Sequence, residues 1–396
     1  MKINLHALEQ LVQKHHVALL WLGFATASIG LFVRTVVLGE TPYVIQDFLV
    51  NYGDGIVRRG LGGEIVRLLA DVFGGGPYFW AWAVLSLAAA ALFVLAIRIL
   101  RKLPSTGVML PLILAPWGLM FYAFDPDGSF RKELFGFLAI GIVLQGALAR
   151  SERAAVGWAT AGGAVFVMFN FAHEAIVFLL PILAMSIWLL AVLFPGRRGV
   201  FVAVFIAAAV GAVAIVIYLS RLPLRDVAQI CLSLELDSCG GPFGWLNASV
   251  AESWDYVYSR RDYDEMAVYA VQAVLCALPF LGLHRAGRRY HWKALLLVTP
   301  LVAIFPLFFL GYDWGRWIQM AFFPLGLTAC AGVATGVIKY QRVMPPWLAL
   351  LYIGSWSISH AHGNILLLGL FVWPVLAGLT AITVWFGRKQ RDVVNA

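Results

Sequence analysis

Long apolar stretches recur along the whole sequence, and they constrain the fold more than any other feature. A helix needs about 17 to 25 mostly apolar residues to cross ~30 Å of hydrocarbon. Twelve stretches are candidates: 17–37, 78–97, 105–123, 134–149, 154–171, 175–194, 199–219, 266–283, 294–311, 318–337, 345–359 and 364–386. The sequence therefore predicts an all-α, polytopic transmembrane helix bundle, with residues 1–396 forming a single transmembrane domain.

Two pairs of stretches are separated by very few polar residues. Asn170, His173 and Glu174 separate 154–171 from 175–194, and Ser359, His360, His362 and Asn364 separate 345–359 from 364–386. Each pair is also compatible with one broken element. Twelve spans are favoured, and ten remain possible.

The composition excludes a soluble globular protein. Only 13% of the residues are charged and 61% are hydrophobic, whereas about a quarter of an ordinary soluble domain is charged. A soluble protein of this size exposes a large surface that must stay hydrated. This chain has too few polar residues to cover such a surface.

The net charge of +8 reflects membrane topology. If the N-terminus is cytoplasmic, the even-numbered connections carry most of the basic residues and few acids, as the positive-inside rule requires. The basic residues on that side are Lys2, Lys14, Arg98, Arg101, Lys102, Arg150, Arg153, Arg197, Arg198, Arg285, Arg288, Arg289, Lys293, Lys339, Arg342, Arg388, Lys389 and Arg391; the acids are Glu9, Glu152 and Asp392. The pattern predicts cytoplasmic N- and C-termini, an acidic outer face and no nucleic-acid partner.

Two long connections are predicted on the extracytoplasmic side. The first covers 38–77 and ends in an amphipathic pattern that predicts a helix lying along the membrane interface. The second covers 220–265 and contains Cys231 and Cys239. These two cysteines are a disulfide candidate in an oxidising compartment, with two free thiols as the alternative.

A short charged pattern recurs in the predicted outer segments. Asp54-Gly55-x-x-Arg58 and Asp127-Gly128-x-x-Arg131 share the order Asp-Gly-x-x-Arg, and Asp313-x-Gly315-Arg316 is a compressed version. Glycine lets backbone N–H groups turn toward an anion, arginine offers a planar fork to phosphate, and aspartate can act as a general base or hold a cation. The alternative is helix capping and turn formation, and the 124–133 segment is the one most expected to be structural.

Other polar and aromatic residues in these outer segments extend the candidate site. Asp47 and Arg59 lie in the first loop, and His173 and Glu174 interrupt apolar sequence, where an ionisable residue is a functional candidate. Tyr52 and Trp314 could stack on a sugar ring or lie in the interfacial aromatic belt. A zinc site from His173, Glu174, His360 and His362 is disfavoured because the spacing is not that of HExxH, so no metal ligand is predicted. A polar helix end at the water boundary is favoured for His360 and His362.

The layout resembles the GT-C superfamily of integral-membrane glycosyltransferases. The resemblance rests on a first span with a cytosolic N-terminus, a long outer loop containing Asp47 and Asp54, an interfacial helix, and many further spans with short inner loops. It implies a polyprenyl-phosphate or polyprenyl-pyrophosphate sugar as donor and a glycan or lipid as acceptor. It also implies a site on the outer face of a membrane, which we expect to be the bacterial inner membrane.

Carried over, the resemblance makes Asp54 the base, with Asp47 as the runner-up. Arg58, Arg59 or Arg316 would bind the donor phosphate, and the remaining outer residues would contact substrate: Tyr52, Asp127, Arg131, His173, Glu174, Asp313 and Trp314. No cofactor is expected, although a divalent cation is possible. Membrane lipids would surround the bundle.

Two other functions stay open. A transporter or flippase of a lipid-linked glycan or other anion would place its polar site near the midplane and show internal repeats, whereas the charges here gather at the outer ends of the spans. A membrane O-acyltransferase is suggested by His173 and His360. The distribution of charge favours an enzyme.

Overall fold

The computed structural model describes residues 5–104, 106–223, 225–234, 241–260, 262–285 and 305–360. Nearly all regular structure in these ranges is helical, which confirms the predicted all-α class. The α-helices are α1 (Leu5–Phe32), α2 (Tyr43–Phe48), α3 (Leu61–Phe73), α4 (Pro77–Leu100), α5 (Thr106–Ile113), α6 (Phe121–Phe124), α7 (Pro126–Ser129), α8 (Leu134–Gln145), α9 (Glu152–Phe169), α10 (Leu180–Leu193), α11 (Arg198–Ser220), α12 (Val227–Leu232), α13 (Val250–Arg260), α14 (Tyr263–Ala277), α15 (Trp314–Ala334) and α16 (Pro346–Gly354).

Shorter elements join or extend these helices. A π-helical turn, Val33–Val37, continues α1, and 3₁₀-helices cover Gly146–Leu148, Glu174–Leu179, Pro195–Arg197, Gly241–Trp245, Leu278–Gly282 and Phe305–Phe309. Strands β1 (Leu283–Arg285) and β2 (Ile338–Tyr340) pair antiparallel, with Leu283 opposite Tyr340.

Six helical stretches within the described ranges are long and apolar enough to cross a membrane. They are Gln10–Val37, Pro77–Leu100, Glu174–Leu193, Pro195–Ser220, Tyr263–Gly282 and Trp314–Ala334. Each of them overlaps one of the predicted spans, so the polytopic helical bundle is confirmed.

Other predicted spans differ in form from the expectation. The 105–123 stretch is interrupted after Ile113 and resumes at Phe121, where Pro116 cannot donate a helical hydrogen bond and Gly118 favours a turn. The 134–149 and 345–359 stretches contain α8 and α16, which are 12 and 9 residues long. The 154–171 stretch lies in α9 up to Phe169. The 364–386 span and most of 294–311 lie outside the described residues.

Helix α15 forms the centre of the bundle. Every residue from Trp314 to Val333 is buried, and α15 packs against α4, α8, α10 and α14. Because a helix that is buried on all sides has no polar face, the few charged groups near its N-terminus must find partners inside the protein. Packing thus holds Trp314 in place, whereas Arg316 also needs a partner inside the protein.

Helices α3 and α11 expose apolar surface. Val210 of α11 is 63% exposed, and Val72 and Phe73 of α3 are 70% and 69% exposed. Apolar side chains on the outside of a polytopic bundle suit contact with lipid. The helix expected within 38–77 is thus present as α3, and its position at the membrane interface stays a prediction.

Candidate functional site

Four segments that are distant in sequence bring ionisable side chains together at one end of the bundle. The segments are α2 with the loop that follows it, the turn between α7 and α8, the turn after α9, and the start of α15. We call the set the charged cluster, and its members are Asp47, Arg59, Arg131, Lys132, Glu133, His173, Glu174, Asp313 and Arg316. The sequence predicted all of them except Lys132 and Glu133.

Asp47 and Lys132 form a deeply buried pair within the charged cluster. Lys132 Nζ lies 3.7 Å from Asp47 Oδ1, and the two side chains are 1% and 5% exposed. Lys132 Nζ also donates a hydrogen bond of 2.8 Å to the carbonyl oxygen of Arg59. The pair therefore connects α2 and the loop after it to the segment that leads into α8.

Arg59 binds Glu174 through two nitrogens. Arg59 Nη2 and Nε donate to Glu174 Oε1 at 2.8 and 3.0 Å. Arg59 has a φ of 65°, a left-handed backbone conformation that side chains rarely adopt. The bidentate pair and this backbone conformation together fix the Arg59 side chain within the charged cluster.

Glu133 connects the remaining members of the charged cluster. His173 Nε2 lies 3.1 Å from Glu133 Oε1, and Arg316 Nε lies 3.5 Å from the same oxygen. Arg316 Nη2 reaches Asp313 Oδ2 at 2.8 Å. His173 Nδ1 lies 3.5 Å from Glu174 Oε2, so the network is continuous from Arg59 to Asp313.

The pKa values reflect this mutual stabilisation. Burial lowers the pKa of Lys132 to about 8 against the opposing effect of Asp47. Burial alone would raise the pKa of Asp47 and of Glu133, but the neighbouring cations lower both, chiefly Lys132 for Asp47 and Arg316 for Glu133. Burial likewise opposes charge on His173, but Glu133 raises its pKa above the usual value. The carboxylates therefore stay ionised inside the protein.

Arg131 differs from the other cations of the charged cluster. Arg59, Lys132 and Arg316 each pair with a carboxylate, whereas Arg131 Nε donates to the carbonyl oxygen of Asp127 at 2.9 Å and its guanidinium lies 4.3 Å from the ring centroid of Tyr43. Arg131 Nη1 is buried and has no hydrogen-bond partner among the described residues. Arg316 Nε is also buried without a hydrogen bond among the described residues, but Arg316 pairs with two carboxylates. Because a buried donor without a partner is costly, Arg131 Nη1 is the group best suited to donate to an anionic ligand.

An Asp–His pair lies beside this arginine. His360 Nδ1 is 2.7 Å from Asp125 Oδ2 and 2.9 Å from Oδ1, and the backbone N–H of His360 donates to Asp125 Oδ2 at 2.5 Å. Asp125 also caps α7 by accepting from the N–H of Gly128. Asp313 is close enough to Arg316 and Arg131 that their charges lower its pKa against the effect of burial, and it is also close enough to His360 for a protonated ring to act in the same direction. The Asp–His pair therefore faces the charged cluster.

The first Asp-Gly-x-x-Arg segment makes different contacts. Asp54 Oδ2 accepts a hydrogen bond of 2.9 Å from the N–H of Asp226, and Arg58 donates to the carbonyl oxygens of Leu246, Trp245 and Ala248. The ring of Tyr52 packs against Gly60. No hydrogen bond or ion pair among the described residues joins Asp54, Arg58 or Tyr52 to the charged cluster, although Arg58 lies near enough to feel the charges of Glu174 and Arg59. Their catalytic and binding roles stay predictions.

Asp127 and Trp314 lie at the edges of the site. Asp127 pairs with Arg34 at 3.1 Å, and its side chain is 35% exposed. Trp314 is buried, and its Nε1 donates to the carbonyl oxygen of Phe308. It also lines an apolar cavity of about 370 Å³ together with Trp254, Tyr269, Phe308 and Phe309. The cavity and the charged cluster thus meet at the first turn of α15.

The disulfide and metal predictions each involve a residue outside the described ranges, and both stay predictions. Cys231 is buried near the end of α12, but Cys239 lies outside the described residues, so their disulfide stays a prediction. Within the ranges that the structure describes, no group of three or more His, Cys, Asp and Glu side chains could hold a metal ion. His173 and His360 bind different carboxylates, and His362 lies outside those ranges.

Sequence reasoning missed Lys132, Glu133, Tyr43 and the pairing of Asp125 with His360. One signal was available for the first two, because Lys132 and Glu133 directly precede the apolar sequence of α8 and charges next to a span need partners. The contact between Asp125 and His360 joins residues 235 positions apart, and no local pattern indicates it.

Comparison with known proteins finds one family of membrane proteins and its mycobacterial relatives. The family model described as "Uncharacterised membrane protein Rv1490" matches residues 16–270. Uncharacterized protein Rv1490 of Mycobacterium tuberculosis and uncharacterized protein Mb1527 of Mycobacterium bovis are each 28% identical over 226 residues, which are 54% of this chain and 49% of the relative. The chain thus matches about half the length of these curated relatives. No solved structure matches it.

Proposed function

The chain belongs to the family of uncharacterised membrane protein Rv1490, and we propose that it is an integral-membrane glycosyltransferase. The donor is a sugar linked to a polyprenyl phosphate or pyrophosphate, and the acceptor is a glycan or lipid. The charged cluster faces the extracytoplasmic side of the bacterial inner membrane, and the reaction belongs to the synthesis of the cell envelope or of exopolysaccharide.

One observation carries the proposal: the charged cluster and the apolar cavity meet at the start of α15. Trp314 lines the cavity, and Arg316, two residues later, binds Asp313 and Glu133. A lipid-linked phosphate needs cations for its head and an apolar surface for its chain. This junction offers both within one helical turn.

Arg131 is the group that we assign to the donor phosphate. Its Nη1 has no partner within the described structure, whereas the carboxylates of Asp47, Glu174 and Asp313 already occupy the other cations. Arginine binds phosphate in a bidentate geometry that lysine cannot provide. The ring of Tyr43 under the guanidinium holds its plane in place.

The reaction that we propose is a displacement at the anomeric carbon. The acceptor hydroxyl loses its proton to a base, its oxygen forms a bond to the anomeric carbon, and the bond from that carbon to the phosphate oxygen breaks. The electron pair leaves with the phosphate. Arg131 stabilises the negative charge on that oxygen as the bond breaks.

Binding of farnesyl phosphate tests the assignment of Arg131. We expect R131Q to bind this probe about 10- to 100-fold more weakly than the unmodified protein, because it loses charge-assisted hydrogen bonds that contribute ~1.5–3 kcal/mol. The measurement is isothermal titration calorimetry in detergent. R34Q is the matched control, since Arg34 contacts the same turn through Asp127 but is 42% exposed. Farnesol, which lacks the phosphate, should bind R131Q and the unmodified protein alike.

Sugar transfer in detergent tests the reaction itself. The purified protein is given a farnesyl-phosphate hexose with a radiolabelled sugar, and a glycan and lipid extract of the source cells serves as acceptor. We expect labelled product without any second compartment, which an enzyme can form and a transporter cannot. Tight binding of the donor with no product from any acceptor fraction would favour the transporter or flippase.

A further inference from the structure

We infer that His360, oriented by Asp125, accepts the proton of the acceptor hydroxyl in this site. The inference rests on the proposed glycosyl transfer and adds the identity of its base. It moves the proton-accepting role from Asp54 and Asp47, which the resemblance favours, to a histidine in the segment after α16.

The two carboxylates that the resemblance favours are poorly placed to serve as the base beside Arg131. Asp47 is 5% exposed on its side chain and pairs with Lys132, so it cannot reach a hydroxyl without giving up its counter-charge. Asp54 accepts a hydrogen bond from the N–H of Asp226. No described hydrogen bond or ion pair connects Asp54 to Arg131 or to the charged cluster, so it is not placed to act on a ligand beside Arg131.

His360 has the geometry of an oriented general base. Its Nδ1 lies within hydrogen-bond distance of both oxygens of Asp125, which places the proton of the neutral ring on Nδ1 and leaves Nε2 as the basic atom. Nε2 makes no hydrogen bond within the described part of the chain, and the side chain is 20% exposed. Asp125 accepts three donors at fixed positions and thereby holds the ring.

Two glycines of the recurring charged pattern make room for this histidine. A Cβ on Gly128 would lie 2.7 Å from the Cβ of His360, and a Cβ on Gly315 would overlap the carbonyl oxygen of Ser359. Only a residue without a side chain permits so close an approach. The segment that contains His360 is thus clamped between the turn that holds Arg131 and the turn that holds Arg316.

The turn that orients the proton acceptor therefore also carries the arginine that binds the phosphate. Asp125 caps α7, and Arg131 follows α7 and donates to the carbonyl oxygen of Asp127. In the proposed step Nε2 takes the proton as the new carbon–oxygen bond forms and the phosphate leaves with the electron pair. The resulting imidazolium lies beside the carboxylate of Asp125, which stabilises its positive charge.

The test separates proton transfer from folding and from donor binding. We expect H360N to bind farnesyl phosphate as the unmodified protein does and to transfer sugar 10²- to 10⁴-fold more slowly, the usual contribution of a general base. Asparagine retains a donor near the Nδ1 position but lacks the basic Nε2. H360A should regain part of its rate when imidazole is added, a recovery that a purely structural residue would not show.

Asp125 is a positioning residue in this scheme, and D125N should lower kcat with an unchanged KM for the donor. H16N is the matched control, because His16 Nδ1 binds the carbonyl oxygen of Gln13 in α1, away from the site. Labelling by diethyl pyrocarbonate adds a readout independent of transfer: Nε2 of His360 should react faster than His16, and farnesyl phosphate should slow it.

The possible failures are distinguishable. Unchanged transfer by H360N, or an H360A variant that imidazole does not restore, overturns the role of His360 and leaves the proposed function intact. Absence of transfer by the unmodified protein overturns the proposed function and the role of His360 with it. A histidine at 360 that reacts no faster than His16 overturns the oriented-base geometry directly.

Discussion

The two Asp-Gly-x-x-Arg segments share a sequence pattern and differ in what their side chains contact. In the first, Arg58 donates to three backbone carbonyls of the chain after α12. In the second, Arg131 stacks on Tyr43 and retains a buried nitrogen that has no partner in the described structure. The first arginine thus fastens a loop, whereas the second is available to a ligand. The tertiary contacts of each segment, and not the shared sequence pattern, therefore decide what its arginine can bind.

The largest expected effect concerns the residue next to the second arginine. K132M removes the cation from a pair that is almost fully buried and leaves the Asp47 carboxylate without a partner, so we expect a loss of about 3–5 kcal/mol in unfolding free energy. The measurement is thermal unfolding in detergent. The double variant D47N/K132M should recover most of the loss.

An exposed pair provides the matched control for this variant. Arg67 binds Glu64 at 2.6 Å on α3 with about a third of its side chain exposed, and such surface pairs contribute about 0–1 kcal/mol. R67M should therefore barely change the melting temperature. If K132M is as mild as R67M, the second segment does not depend on a buried charge and the contrast between the two segments fails.

A substitution in the first segment should change the stability of the protein and leave its binding of farnesyl phosphate unchanged. R58Q loses the fork that holds three carbonyl oxygens, and we expect a loss of about 1.5–3 kcal/mol together with faster hydrogen exchange over residues 241–260. The affinity for farnesyl phosphate should stay unchanged, the reverse of R131Q. An R58Q protein with normal stability and weakened farnesyl phosphate binding would instead make Arg58 a phosphate ligand, as the resemblance implies.

Sequence periodicity and charge predicted the fold class and most of the charged cluster. Apolar runs of spanning length depend only on local composition, and the positive-inside pattern assigned the segments with Asp47, His173 and Asp313 to one side. The structure brings these segments together. The interruption of 105–123 was missed, because Pro116 and Gly118 act on the backbone while leaving the hydropathy of the stretch high. The early end of α16 at Gly354 within 345–359 was missed as well.

The sequence could not predict which of the charged residues on the predicted outer side contact one another. The sequence interpretation expected 124–133 to be the most structural of the charged segments, yet this segment contributes Arg131, Lys132 and Glu133 to the charged cluster. Asp47 and Asp54 are seven residues apart, and α2 ends at Phe48 between them. A loop after a short helix can direct two aspartates to different places, and only the packing of distant segments decides where.

The smallest expected effect is that of Asp54, and it bears most directly on the assignment of the base. D54N keeps an oxygen that can accept the hydrogen bond from the N–H of Asp226, so we expect its stability to stay within about 0.5 kcal/mol and sugar transfer to stay within about twofold of the unmodified protein. D47N, by contrast, leaves Lys132 buried without a counter-charge and should lower the melting temperature. A stable D54N protein that transfers sugar at least 100-fold more slowly would have the signature of a lost general base. That result would assign the base to the first Asp-Gly-x-x-Arg segment and remove the role from His360, whereas normal transfer by D54N together with inactive H360N assigns it to His360, which packs against Gly128 of the second segment.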